Sequence, residues 1–186
     1  KLLLICLVSA TLVACGSGSG GKDKVTLTKA EDRFATGEYK QALSDFERLI
    51  ATEGSQAATG AGWCLIRLNG VARADSFFAT TAADSIPDAY AGWSFTSWAL
   101  NDPNEAISCA AFVLRKNADF HLGLDTRVSK DNLIWIQASS YLQLANYTEC
   151  YNKIKLLDAN YVYPSGTNSQ IATSLLQKLQ SLGSAS

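Results

Sequence analysis

Small residues recur along this chain at a spacing of 32, and that register constrains its fold more than any other feature. Ala42, Ala74 and Ala106 are 32 apart, and four positions beyond them stand Phe46, Phe78 and Ala110. Twelve positions before each alanine lie Ala30, Gly62 and Ser94, all small. Gly60 and Gly92 fall in the same register, as do the pairs Leu68-Asn69 and Leu100-Asn101. A fourth copy is displaced by a further twelve residues, with Ala138 and Cys150 at the small positions and Ile154 four beyond. Self-similarity at a fixed period of this length marks a stack of supersecondary units.

Two small positions twelve apart have a mechanical meaning. Antiparallel helices approach closely only where each carries a small side chain at the crossing, with larger residues in the flanking layers. The order small, turn, small, aromatic resembles the tetratricopeptide repeat, whose usual period is 34. A spacing of 32 predicts shorter turns between repeats, and the Trp and Pro positions of that family are only partly present. The resemblance covers residues 26–158. It predicts an all-α, tetratricopeptide-like solenoid of about four helical hairpins plus a C-terminal capping helix, with an inserted loop before the last hairpin.

Local signals divide the chain in the same way. Thr26-Leu27-Thr28 leads into a first helix, and Gly37-Glu38 separates it from a second. Ser85-Ile86-Pro87-Asp88 parts the second and third repeats. Asp102-Pro103-Asn104-Glu105 reads as a helix start, with an N-cap Asp, Pro at the first position and Glu at the third. Asp131 and Asn132 open the helix that carries Trp135 and Ala138. Three hairpins are therefore expected over 26–116 and a fourth over 131–158. Residues 117–130 account for the extra twelve, as an ordered loop or small hairpin around Gly123. After a connector, within 159–186, Ile171, Leu175, Leu176, Leu179 and Leu182 form an apolar stripe for a capping helix, which the last repeat of a solenoid needs.

The N-terminal end reads as a targeting segment. Residues 1–14 start with Lys1 and continue as an apolar run, the pattern of a signal peptide and too short for a membrane-spanning helix. The run ends in Leu12-Val13-Ala14-Cys15, which resembles the bacterial lipobox. That resemblance implies cleavage before Cys15 and a lipid on its thiol; an ordinary secretory signal with an incidental Cys is the alternative. Gly16-Ser17-Gly18-Ser19-Gly20-Gly21 then reads as a flexible leash, within a tether spanning 15–25. Gly16 rather than Asp after the cysteine resembles outer-membrane sorting, if the cell is Gram-negative, on the periplasmic or surface face. As a whole, the chain resembles tetratricopeptide lipoproteins, which implies a repeat scaffold on the envelope with no defined enzymatic activity.

Composition narrows the partner. Without residues 1–14 the chain has 15 basic and 17 acidic residues, a net charge of −2. A nucleic-acid partner favours a concentrated basic face and is not expected. Cys64, Cys109 and Cys150 remain after the signal and the anchor; an odd number cannot all pair internally, and buried thiols are the expected state. With one histidine, His121, and no C-x-x-C, neither a metal site nor a cofactor is expected. His121 stands near Asp125, Arg127 and Asp131, but no nucleophile accompanies them, so a network tethering the loop is expected instead of catalysis. Arg33, Lys40 and Arg48 read as solvated helix faces.

In repeats of this type the first helix of each hairpin lines the concave face. Carried over, the resemblance places Phe34, then Trp63, Ile66 and Arg67, then Phe95 and Trp98, then Trp135, Ser139 and Gln143 along one groove. Such a groove would bind an unknown envelope protein or an extended peptide; carriage of an apolar small molecule or lipid is the alternative, followed by an accessory role in an envelope polymer-handling enzyme. Aromatics at helical spacing also serve as core, and the capping helix or the 117–130 loop is able to fold over the groove.

Overall fold

A computed structural model describes residues 24–183, so the signal-peptide and Cys15 readings fall outside the described residues. Within them the elements are α1 (Leu27–Ala35), α2 (Tyr39–Arg67), α3 (Val71–Thr81), α4 (Pro87–Ala99), α5 (Pro103–Lys116), α6 (Lys130–Gln143), α7 (Tyr147–Leu157) and α8 (Asn168–Gly183). The fold is the expected all-α solenoid. α1 pairs with the first limb of α2, the second limb with α3, α4 with α5 and α6 with α7, before α8 closes the array.

The shortened period shows most clearly inside α2. There Gly54, at φ 54° and ψ −130°, interrupts the helix and reduces the first inter-repeat turn to one residue. Only glycine takes that backbone without strain.

Every hairpin turns by one device. The second residue beyond α1, α2, α4 and α6 is left-handed: Gly37 (φ 82°), Asn69 (63°), Asn101 (64°) and Ala145 (54°). In each turn the next amide donates to the carbonyl five residues back: Glu38 to Arg33, Gly70 to Leu65 and Asp102 to Ser97 at 2.8 Å, and Asn146 to Tyr141 at 2.9 Å. This is the Schellman arrangement, which satisfies the last carbonyls of a helix. Gly and Asn suit the left-handed position, whereas the Cβ of Ala145 is crowded there. Ala145→Gly is therefore expected to raise stability by about 0.5–1 kcal/mol, the relieved strain exceeding the extra chain entropy. A urea midpoint that falls at unchanged slope would contradict it.

Side-chain caps start the helices. Thr26 accepts from the Lys29 amide at 3.3 Å, and Asp102 from Glu105 at 3.1 Å. Ser129 and Asn132 form a reciprocal capping box on α6, which places the start of that helix one residue before Asp131.

The repeating small residues lie where the helices cross. Ala30, Ala42, Ala74, Ser94, Ala106, Ala138 and Cys150 are fully buried. The glycines of the register make room for phenyl rings. A methyl group at Gly60 would stand 2.4 Å from the Phe46 ring, while methyls at Gly62 and Gly92 would stand 2.6 and 2.2 Å from Phe78. Phe78 is thus clasped between α2 and α4. Arg33 departs from its solvated reading: it ion-pairs with the buried Asp45 and ties α1 to α2.

Residues 118–129 form a small hairpin, joined by Leu122 N to Val128 O at 2.9 Å and Lys130 N to Phe120 O at 2.8 Å. Its Phe120, Leu122 and Val128 are buried in the main core with the first three hairpins. A second apolar cluster joins Ala138, Cys150 and Ile154 to Ile171, Leu175 and Leu179 of α8. Leu176, assigned to the capping stripe, is instead 47% exposed, because the packed face runs through Ile171, Leu175 and Leu179 to the part-buried Leu182. Lys178 pairs with Asp158 at 2.7 Å and fastens α8 to the end of α7.

Candidate functional site

Two of the four tryptophans stand at the seam between the main core and the α8 cluster. Trp98, from the last turn of α4, meets Trp135 of α6 edge to face, with ring centroids 5.2 Å apart. Trp98 Nε1 donates to Ser139 Oγ and Trp135 Nε1 to the Leu179 carbonyl, both at 2.9 Å. Both indole N–H groups are therefore satisfied within the fold, which fixes the rings. Phe95, Ile136 and Leu182 complete an apolar lining, and Arg127, Ser129, Asp131 and Asn132 supply a polar rim around a cleft of about 690 Å³.

The groove residues expected from the sequence divide into two groups. Phe95, Trp98 and Trp135 come together in this cleft. Phe34 and Trp63 are only 2% and 1% exposed, so the groove assignment is corrected for both. They are core because they lie between neighbouring helices: Phe34 packs against Tyr39 with centroids 5.2 Å apart, and Trp63 contacts Phe78 and Phe95 while donating to the Asp88 carbonyl at 3.0 Å. Ile66 is half-buried against the same core. Gln143, the last residue of α6, is exposed and does not line the cleft.

Arg67 faces the inserted hairpin. Its guanidinium pairs with Asp125, which also accepts from Arg127 Nε and Nη2 at 2.9 Å and from the Arg127 amide at 3.1 Å. The Arg127 hydrogen bond leads the causes that hold the Asp125 carboxyl down at about 2, with the Arg67 and Arg127 charges adding to it. Of the four residues expected in a loop-tethering network, Asp125 and Arg127 form one together with Arg67, while Asp131 stands apart from it on the rim of the aromatic cleft. His121 joins the hairpin through a backbone bridge to Ser129. The network sets Arg127 on the rim of the aromatic cleft.

A second cleft, of about 640 Å³, was not foreseen. Its apolar part comes from Ala35, Phe46, Ile86 and Leu124, and its polar part from Glu31, Asp32, Gln56, Thr59 and Asp88. Among the described residues no Lys or Arg lines it. The Asp88 carboxylate accepts a long 3.4 Å contact from the Gly123 amide, and burial raises its pKa. Glu31 and Asp32 come from α1, Asp88 from α4 and Gly123 from the inserted hairpin, so no local spacing could have revealed the set.

Cys64, Cys109 and Cys150 are free and buried, as expected. Burial is the leading cause that raises all three thiols, Cys64 and Cys150 to about 12, which leaves them protonated and unreactive. Among the described residues no helix is long and apolar enough to cross a membrane.

The hairpin geometry defines a tetratricopeptide-like fold, and solved structures agree. MamA (MSR-1) has a similar fold at 14% identity and a TM-score of 0.60, over 85% of this chain and 94% of MamA. A tetratricopeptide repeat protein from Parabacteroides merdae is similar at 14% identity and a TM-score of 0.57, over 83% of this chain and 59% of that one. PilW, a type IV pilus biogenesis factor, is similar at 13% identity and 0.56, over 82% and 68%. No family model and no curated protein matches the chain.

Proposed function

We propose that this chain is a non-enzymatic scaffold of the bacterial cell envelope, lipid-anchored through Cys15, that holds a protein or peptide segment in the Trp98–Trp135 cleft. The observation that carries the reading is the cleft itself: two rigid indoles, already satisfied at their N–H groups, beside Phe95 and Leu182 with a polar rim. Such rings offer large apolar area at little entropic cost, the character of binding hot spots. Repeat solenoids present surfaces of this kind to extended partners. The lipobox-like Leu12-Val13-Ala14-Cys15 and its Gly/Ser leash support attachment to a membrane surface, where a tethered scaffold meets other surface-bound proteins at raised effective concentration.

A photo-crosslinker at position 98 in the lipidated protein, within its native envelope, tests the reading. Recovery of one defined protein is the expected result. Recovery of lipid alone would replace the scaffold with an apolar carrier, and recovery of neither would leave the cleft without a ligand.

Trp98→Ala is expected to weaken partner capture by about tenfold or more, the loss typical of a central aromatic anchor. Helical content by circular dichroism should persist, because Trp98 is only part-buried. If the variant unfolds instead, the ring is core and the cleft loses its centre.

A further inference from the structure

We infer that the second cleft receives a lysine or arginine side chain of an extended partner segment, flanked on that segment by an apolar residue. The assignment rests on the scaffold reading but concerns a different surface. The two clefts differ in charge. The aromatic cleft carries both Arg127 and Asp131 on its rim, whereas Glu31, Asp32 and Asp88 face the second with no basic residue in its lining.

Several observations set the occupant's chemistry. Phe46, Ile86, Ala35 and Leu124 give the cleft an apolar floor, which suits the methylene stem of a long basic side chain whose head stays with the carboxylates. Asp88 is half-buried, and among the described residues its carboxylate receives one long hydrogen bond, 3.4 Å from the Gly123 amide, and no Lys or Arg counter-ion. Thr59 donates its hydroxyl proton to the Ser55 carbonyl at 2.7 Å, which turns its remaining capacity toward accepting. A small metal ion is the wrong occupant: among the described residues no three such ligands converge on one point. Carboxylates beside an apolar lining instead suit an ammonium or guanidinium carried on an apolar stem. A volume of about 640 Å³ also leaves room for a neighbouring apolar side chain.

Two fluorescein-labelled peptides test the inference against the full chain, one alternating Lys and Leu and the other alternating Glu and Leu. Anisotropy should show the Lys peptide bound and the Glu peptide excluded. Asp88→Asn should weaken the Lys peptide by about tenfold, the loss of one charge-assisted contact, and the pair Glu31→Gln with Asp32→Asn should weaken it similarly. A thermal melt of each variant accompanies the titration. The Glu31 and Asp32 pair, being half-buried and exposed, keeps the test valid if Asp88→Asn disturbs the first turn of α4.

Equal binding of both peptides, or unchanged affinity in all these variants, overturns the assignment. So does a Lys peptide that Trp98→Ala releases and Asp88→Asn does not, because it then sits in the aromatic cleft. Failure of the position-98 crosslink reports on the scaffold reading, not on this cleft.

Discussion

Phe78→Ala is expected to lower the unfolding free energy by about 3–5 kcal/mol, a large share of the 5–15 kcal/mol that holds a domain of this size together. The ring is fully buried and meets Trp63 edge to face with centroids 5.9 Å apart. It also lies against the bare backbones of Gly62 and Gly92, each so near that an added methyl would overlap the ring. Removing the ring leaves a cavity walled in part by glycines, which have no side chain to swing inward. The helices could close it only by moving together, against the small-residue crossings that already set their spacing. The cost therefore includes the cavity as well as the lost apolar transfer. Urea denaturation measures it as a fall in midpoint at nearly constant slope. A loss below about 1 kcal/mol would mean that the helices collapse onto the space, and Phe78 would not be the pin between α2 and α4.

Asp125→Asn is expected to cost about 2–3 kcal/mol, somewhat below the usual penalty for breaking a buried ion pair because Arg127 is largely exposed. The carboxylate is 7% exposed and serves both guanidinia, while Arg67 is 29% exposed and would keep its charge without a partner. The pH dependence follows from the sign of the shift. The folded carboxyl is held at about 2, below its ordinary value of 3.8. Its contribution is present above the unfolded pKa and is lost as pH falls through the folded one. That contribution is about 2 kcal/mol, disappearing between about pH 4 and pH 2. The gap in urea midpoint between the native chain and Asp125→Asn should therefore narrow from neutral pH to roughly a third of its size at about pH 2.5. A constant gap across that range would assign the loss to packing.

The Asp125 prediction also bears on binding. The inserted hairpin places Arg127 and Ser129 on the aromatic cleft and Gly123 and Leu124 on the acidic one. A single carboxylate therefore positions groups at both sites.

How far these features were legible varied with the range of the interaction that creates them. The small positions, the Phe46 and Phe78 slots and the twelve-residue slip were readable because close helix approach demands small side chains at fixed intervals. The capping helix was readable from its stripe, except that Leu176 cannot be told from its neighbours until the buried face is known. Among the aromatics, Phe34 on α1 and Trp63 on the second limb of α2 stand on the first helices of their hairpins, as Phe95 and Trp98 do on α4, and have the same residue types. Whether such a ring is core or cleft depends on what packs over it, and periodicity carries no information about that.

The sequence by itself determined the repeat, the helical hairpins and the inserted segment, because each follows from spacing or local backbone chemistry. Only the tertiary structure decided where the clefts lie. The aromatic one exists because α8 ends beside Trp135 and the inserted hairpin brings Arg127 to its rim. The acidic one exists because α1, α2, α4 and that hairpin meet around Phe46. Both are products of chain segments far apart in sequence, whose charges and apolar surfaces acquire a shared meaning only when the fold brings them together.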